Sequence, residues 1–391
     1  MDDSDKHWKG IINKYKDFIR VGSERLKEPY ITLYEGNTPL IESVFIQQEL
    51  RNLGFSGKIY FKYEGINPTA SFKDRGMVVA VTRARDIKSR ALICASTGNT
   101  SASAAAYGAR SRIPVFVVVP EKGVAVGKIV QAIAYGAKII KVKGNFDDAM
   151  EIVQKIAQDF DLFIVNSINP WRIQGQKTAS FEICEVLKTA PDYHFLPVGN
   201  AANIYSYWIG YKEYLELKKI ENLPKMCGVQ AEGAAPIVKG YPIKEPQTVA
   251  SAIRIGDPVN WKKAEEARDE SKGMIESVED ERIIKTYKIL SKFEGIFCEL
   301  ASCASLAGFI KALENRKIEK KDSIVVCTLT GHGLKDPQAV FDFIKSEDIT
   351  VEPGFFEIKK IIEEEIKKHQ DKTIIHQEFP FHNQIQEIQD Q

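Results

Sequence analysis

Cysteine is scarce in this chain, and what there is does not pair by spacing. The 391 residues contain six cysteines: Cys94, Cys184, Cys227, Cys298, Cys303 and Cys327. No two are separated by the two residues that zinc knuckles and dithiol redox sites use, which fits reduced thiols in a cytoplasmic enzyme. Three of the six histidines, His369, His376 and His382, lie in the last stretch and match no ligand spacing, so no metal is expected. A charge excess is missing too. Lys+Arg number 54 against 53 Asp+Glu, a formal net charge of +1, which argues against a nucleic-acid surface. Lys359, Lys360, Lys367 and Lys368 alternate with Glu357, Glu363, Glu364 and Glu365 and read as a solvated helix face. Apolar runs such as Val115 to Val119 are far too short to span a bilayer. The acidic start Met1-Asp2-Asp3-Ser4-Asp5-Lys6 lacks the pattern of a secretory signal, so the expected location is cytoplasmic, with no membrane partner.

What is present is a globular composition, 44% hydrophobic and 27% charged, in a length that allows one large domain or two medium ones. Strand-like runs alternate with helical stretches. Strands are expected at 59–63, 91–94, 115–119, 138–142, 163–165, 195–198 and 323–329, and helices at 101–110, 124–135, 176–187 and 203–217. Asn145 reads as a helix cap, with Asp147 and Asp148 in the first turn. Strands that are apolar throughout, alternating with helices, indicate a parallel α/β architecture, in which ligands sit beyond the carboxyl ends of strands. The segments Ser96–Asn99, Gly199–Asn203 and Thr330-Gly331-His332-Gly333 each follow such a strand, which supports one shared site.

Four groups of residues carry chemistry. Lys73, in Ser71-Phe72-Lys73-Asp74-Arg75-Gly76, stands between the turn Asn67-Pro68-Thr69-Ala70 and the apolar run that starts at Met77. A cation at the positive end of a helix is disfavoured, and the depressed pKa that results is what an imine-forming lysine needs, with Arg75 close in sequence. Gly199-Asn200-Ala201-Ala202-Asn203 is a small-residue loop whose N–H groups can surround a phosphate, although such turns are common. It matches neither the nucleotide P-loop nor the dinucleotide fingerprint. Asn166, Ser167 and Arg172 put an amide, a hydroxyl and a guanidinium at another strand end, where a capping loop with a surface arginine is as good a reading. Thr328 and Thr330 end the late strand, where a hydroxyl could meet a ring nitrogen, and His332 reads as structural.

Taken together these segments resemble the threonine synthase family of pyridoxal-phosphate enzymes. The matches include Tyr34-Glu35-Gly36-Asn37-Thr38-Pro39-Leu40, Ser71–Gly76, Cys94–Ala106, Gly175-Gln176-Lys177-Thr178, Pro197-Val198-Gly199-Asn200 and Leu329–Asp336, in family order from about residue 30 to 345. Each piece alone is unspecific; the combination is not. The resemblance implies a tryptophan-synthase-like (fold type II) architecture, two parallel-sheet α/β domains with pyridoxal 5'-phosphate in the cleft between them. It implies that Lys73 bonds the cofactor and shuttles protons. Asn99 would meet the phenolic oxygen, Gly199, Asn200, Ala201, Ala202 and Asn203 the cofactor phosphate, and Thr330 the ring nitrogen. Ser96 and Thr97 would meet the substrate carboxylate, and Thr100, Ser167 and Arg172 its phosphate, with Asn166 nearby. The implied reaction turns O-phospho-L-homoserine and water into L-threonine and phosphate, and the implied assembly is a homodimer.

The resemblance leaves particulars open. Ala202 stands where the phosphate loop usually has glycine, and were that position to need positive φ, alanine would cost roughly 1 kcal/mol. Leu300 and Cys303 depart from the usual Glu-Pro-Ala-Ser-Ala. Alternatives are a cysteate synthase-like enzyme acting on O-phosphoserine, a serine or threonine dehydratase, or a non-catalytic paralogue. The Thr100/Ser167/Arg172 set disfavours the dehydratase, which has no γ-phosphate to bind. Intact Lys73 and Asn99 disfavour the paralogue. The expected organisation is a polar leader at 1–27, a catalytic region at 28–346 with a smaller α/β subdomain at roughly 90–165 inserted in it, and a tail at 347–391. The tail begins as an amphipathic helix over 355–369, with Ile358, Ile361, Ile362 and Ile366 on one side.

Overall fold

The computed structural model describes residues 7–51, 54–121, 126–144, 146–344 and 348–370. Two sheets organise them. The larger has six strands in the order Met274–Val278, Lys225–Ala231, Tyr193–Pro197, Ile324–Leu329, Lys58–Tyr63, Leu40–Glu42, all parallel except the antiparallel last one. The smaller has four parallel strands, Lys138–Val142, Val115–Pro120, Leu92–Ala95 and Phe163–Ile164. Central strands such as Leu92–Ala95 and Tyr193–Pro197 are buried along their whole length, as a parallel sheet covered on both faces requires. Leu40–Glu42, Lys225–Ala231 and Met274–Val278 were not expected from sequence. The first is short and partly exposed, and Gly228 interrupts the second.

Three helices set the position of the site. Lys73–Asp86 packs against both Asn99–Ser111 and Pro170–Gln176. The first and third meet backbone to backbone: a Cβ on Gly175 would fall 1.8 Å from the Arg75 carbonyl oxygen, and one on Gly76 would fall 2.8 Å from that of Arg172. No side chain fits there, so both glycines are required by close approach rather than by turn geometry. The helix expected over 176–187 forms over Thr178–Leu187, and a separate helix that was not expected, Pro170–Gln176, precedes it. Pro170 opens that preceding helix, and the Asn169 side chain caps it by accepting from the Trp171 N–H at 3.0 Å. The cap proposed at Asn145 lies outside the described residues.

Beneath the helices lies a quartet of buried charges. Arg75 forks onto Glu64 (2.6 and 2.9 Å) and Glu182 (2.8 and 2.7 Å), and Lys62 reaches Glu182 at 2.7 Å. The two positive and two negative charges balance, and Arg75 is held by both glutamates with further bonds to the Thr178 and Thr38 hydroxyls. The pairing holds Glu182 down to about 2 against the opposing effect of burial.

Part of the stretch expected as a polar leader is core: Ile11, Ile12, Tyr15 and Ile19 are buried, with the Tyr15 ring edge-on to Phe181. The tail helix forms over Phe355–Gln370, but its apolar side stays open, with Phe356 81% and Ile362 52% exposed. Among the described residues no helix is long and apolar enough to cross a membrane.

Candidate active site

A cavity of about 530 Å³ opens at the carboxyl ends of strands from both sheets. It gathers the site residues that the resemblance implies: Lys73, Ser96, Thr97, Asn99, Thr100, Asn166, Ser167, Arg172, Gly199 through Asn203 and Thr330 all line its wall, whereas Thr328 is buried away from it against His194 Nε2 at 2.8 Å. It also brings in Glu299, Lys335, Gln131 and Gln176, which the sequence reading did not assign.

Lys73 is the first residue of its helix, its ammonium 4.1 Å above the Phe72 ring. Burial lowers its pKa from 10.5 to about 7, with the positive charge of Arg172 adding to the effect and Glu299 opposing it. The neighbouring cation is therefore Arg172, delivered by the glycine-mediated helix contact, and not Arg75, which is locked onto its glutamates. Arg172 is 1% exposed and makes one bond, from Nη1 to the Val165 carbonyl oxygen at 2.9 Å. Its Nε and Nη2 have no partner. A buried guanidinium with two unspent donors at a cavity wall is built for an anion. Burial brings it down to about 10, still a cation at neutral pH.

Asn99 opens the helix Asn99–Ser111 and donates its amide to both oxygens of Glu299, at 3.2 and 3.0 Å. Thr330 donates to the same carboxylate at 3.3 Å. Burial raises the Glu299 pKa, and Asn99 and Lys335 are foremost among the groups that oppose the rise. Gly331 leaves room for this carboxylate: a Cβ there would stand 2.4 Å from Glu299 Oε1. The sequence signals for Glu299 were an acid heading the strongly apolar helix Leu300–Glu314 and its place as the retained first residue of the segment compared with Glu-Pro-Ala-Ser-Ala, neither of which assigned it to the site.

In the loop Gly199–Asn203, the positive φ falls on Ala201 (67°), while Ala202 begins the helix Ala202–Glu216. The strain expected at Ala202 is thus at its neighbour. The loop is braced from outside, with Asn260 donating to the Asn200 carbonyl oxygen at 3.2 Å. None of its N–H groups donates to a turn partner among the described residues, and the Asn203 Nδ2 is buried without one.

Some hydroxyls and amides are already engaged. Asn166 bonds the Ala95 backbone twice, at 3.1 and 2.8 Å, tying two strand ends together. The Ser96 hydroxyl accepts from the Gly98 and Ser101 N–H groups, both at 3.3 Å. His332 accepts from the Leu334 N–H and is flanked by the Tyr63 and Phe297 rings, a structural setting.

A cleft between two parallel sheets, with a deprotonation-prone lysine facing an open N–H loop across it, defines an α/β enzyme built for an aldehyde cofactor that carries a phosphate. Residues 31–331 match the family model described as pyridoxal-phosphate dependent enzyme. Two relatives are the threonine synthases of Halalkalibacterium halodurans, 52% identical over 337 residues (86% of this chain, 92% of that one), and of Mycobacterium tuberculosis, 50% identical over 348 residues (88% and 94%). The cysteine synthase of Entamoeba histolytica shares the fold, with a TM-score of 0.69, 21% identity, and coverage of 85% of this chain and 95% of that one. The chain belongs to the pyridoxal-phosphate-dependent enzymes and, within them, to the threonine synthase family. The residues present fit the cofactor: a lysine whose pKa is lowered to about 7, a phosphate-sized set of free N–H donors, and an unpaired Asn203 amide.

Proposed function

We propose that this cleft converts O-phospho-L-homoserine and water into L-threonine and phosphate. The observation that carries the reading is Arg172, whose two unspent donors form an anion site separate from the loop Gly199–Asn203. The substrate carboxylate has its own candidate groups in Ser96 and Thr97, so a further buried cation with free donors suits a substrate that also carries a phosphate.

In this reading the N–H groups of Gly199 through Asn203 hold the cofactor phosphate, Asn99 turns its amide to the phenolic oxygen, and Thr330 offers its hydroxyl to the ring nitrogen. The cofactor, when bound, supplies an electron sink for charge developing on the substrate carbons. Lys73 Nζ would bind the cofactor and, once released by the substrate, remove the α-proton and then a β-proton so that the γ-phosphate can leave, and return protons to the carbon chain as water adds at the β-carbon. A pKa near neutrality suits it to both directions of transfer. Arg172, with Thr100 and Ser167, orients the leaving phosphate and withdraws charge from it, while Ser96 and Thr97 receive the carboxylate. Asn166 contributes by holding Ala95, and with it the start of the Ser96 loop, in place.

The reading includes a cytoplasmic homodimer that covers the exposed side of Phe355–Gln370, because a stripe of this size is costly in water. The decisive experiment is phosphate release by purified protein loaded with pyridoxal phosphate. O-phosphohomoserine is expected to release phosphate and O-phosphoserine to do so far more slowly; the reverse preference would sink the reading.

A further inference from the structure

Lys335 is a cavity cation that neither the sequence nor the reading above uses. It lies in the short turn Gly333–Lys335 after the strand Ile324–Leu329. Its ammonium donates to two neutral oxygens. One is the Thr69 carbonyl at 3.1 Å, in the turn that leads to Lys73. The other is the side-chain oxygen of Gln131, on the helix Val126–Ala134 that accompanies the smaller sheet. Among the described residues it forms no ion pair; Asp74 and Glu299 act on it only at longer range. Asp74 is fully occupied by the Thr69 N–H and hydroxyl and the Ser103 hydroxyl, at 2.6, 2.5 and 2.5 Å. Lys335, Gln131 and Arg172 all line the one cavity.

A half-buried ammonium is normally matched by a carboxylate or left to water, and this one has neither a bonded acid nor full hydration. Burial accordingly lowers its pKa. One of its three donors is not taken up by Thr69 or Gln131. Gln131 offers what an incoming anion would offer, an oxygen, but without the charge.

We infer that Lys335 binds an anionic oxygen of the amino-acid substrate, with Gln131 holding the ammonium in place until the ligand takes over. Because Gln131 belongs to the helix beside the smaller sheet and Lys335 to the larger one, the exchange ties substrate arrival to the contact between the two halves of the cleft. The inference rests on the site reading above, but it can be tested without turnover.

The experiment is calorimetric titration of the cofactor-loaded protein with inorganic phosphate and, separately, with L-threonine, on wild type, Lys335→Gln and Gln131→Ala. Loss of one charge-assisted contact is expected to weaken binding roughly tenfold in Lys335→Gln. Weakening for phosphate assigns Lys335 to the phosphate subsite, and weakening for L-threonine alone assigns it to the carboxylate; either supports the inference. Gln131→Ala is expected to bind at least as tightly as wild type, because it removes only the placeholder. The inference is overturned if Lys335→Gln binds both probes as wild type does, or if the two variants weaken binding equally, which is the mark of a structural latch. Cofactor absorbance, expected unchanged in both variants, reports whether the site is intact. Failure of wild type to turn over O-phosphohomoserine would count against the function above while leaving these binding outcomes readable.

Discussion

Arg172 and Lys73 share one cavity wall, and the guanidinium is the principal charge that depresses the lysine pKa. The pairing exists because Gly76 and Gly175 let two helices touch through their backbones. Under the proposed function it would give Arg172 two tasks, holding a substrate anion and tuning a base.

Replacing Arg172 therefore acts twice. Arg172→Met is expected to raise KM for O-phosphohomoserine by roughly 100-fold, in line with the loss of a bidentate charge-assisted contact. It is also expected to raise the Lys73 pKa, since a positive neighbour is removed. The rate of cofactor uptake by the apo-protein, followed against pH, should shift its rise to higher pH. A KM effect without that shift would separate the two tasks.

Lys73 governs a pH dependence of its own. Its folded pKa of about 7 lies below the ordinary 10.5, so between these values the unfolded chain binds more protons and apo-protein stability rises with pH. Lys73→Met removes this term. The variant should be more stable than wild type at and below pH 7, and the advantage should shrink as pH approaches 10.5. Paired thermal melts across that window check the sign. With pyridoxal phosphate the variant should also lack the protonated-imine band near roughly 410–420 nm that wild type shows.

Ala201 and Ala202 predict opposite outcomes. Ala201 has φ of 67°, so Ala201→Gly should stabilise the protein by about 0.5–1 kcal/mol. Ala202 is in the first turn of a helix, so Ala202→Gly should destabilise by up to about 1 kcal/mol. Denaturant melts of the two apo variants distinguish this from the reverse order that a strained Ala202 would give.

The quartet of Lys62, Glu64, Arg75 and Glu182 supports the helix that carries Lys73. Arg75→Met leaves two buried carboxylates with one lysine and is expected to cost about 3–5 kcal/mol. Glu182 has a folded pKa of about 2 against an ordinary 4.5, so its contribution is present above 4.5 and lost as pH falls toward 2. Glu182→Gln should flatten the acid limb of the stability profile in that interval.

Much of the site was legible because loops that follow strands are local in sequence. Lys73, Asn99, Gly199–Asn203 and Thr330 each sit at a strand–helix junction marked by small or hydroxyl residues, and such junctions converge at one end of a parallel sheet. Glu299 and Lys335 were not legible, since an acid heading a helix and a lysine in a turn look the same in any surface segment. Ile11, Ile12 and Tyr15 were hidden among charged neighbours, and long-range packing buries them, with Tyr15 on Phe181 and Ile11 against Gly36.

By itself the sequence determined the parallel architecture and marked Lys73 as the candidate imine-forming lysine, because continuous apolar strands and small-residue junctions are written locally. Tertiary structure alone decided which cation tunes that lysine, which alanine carries the positive φ and what Lys335 faces. The first and the last depend on distances between segments about a hundred or more residues apart, Lys73 and Arg172 or Gln131 and Lys335, and no spacing along the chain encodes them.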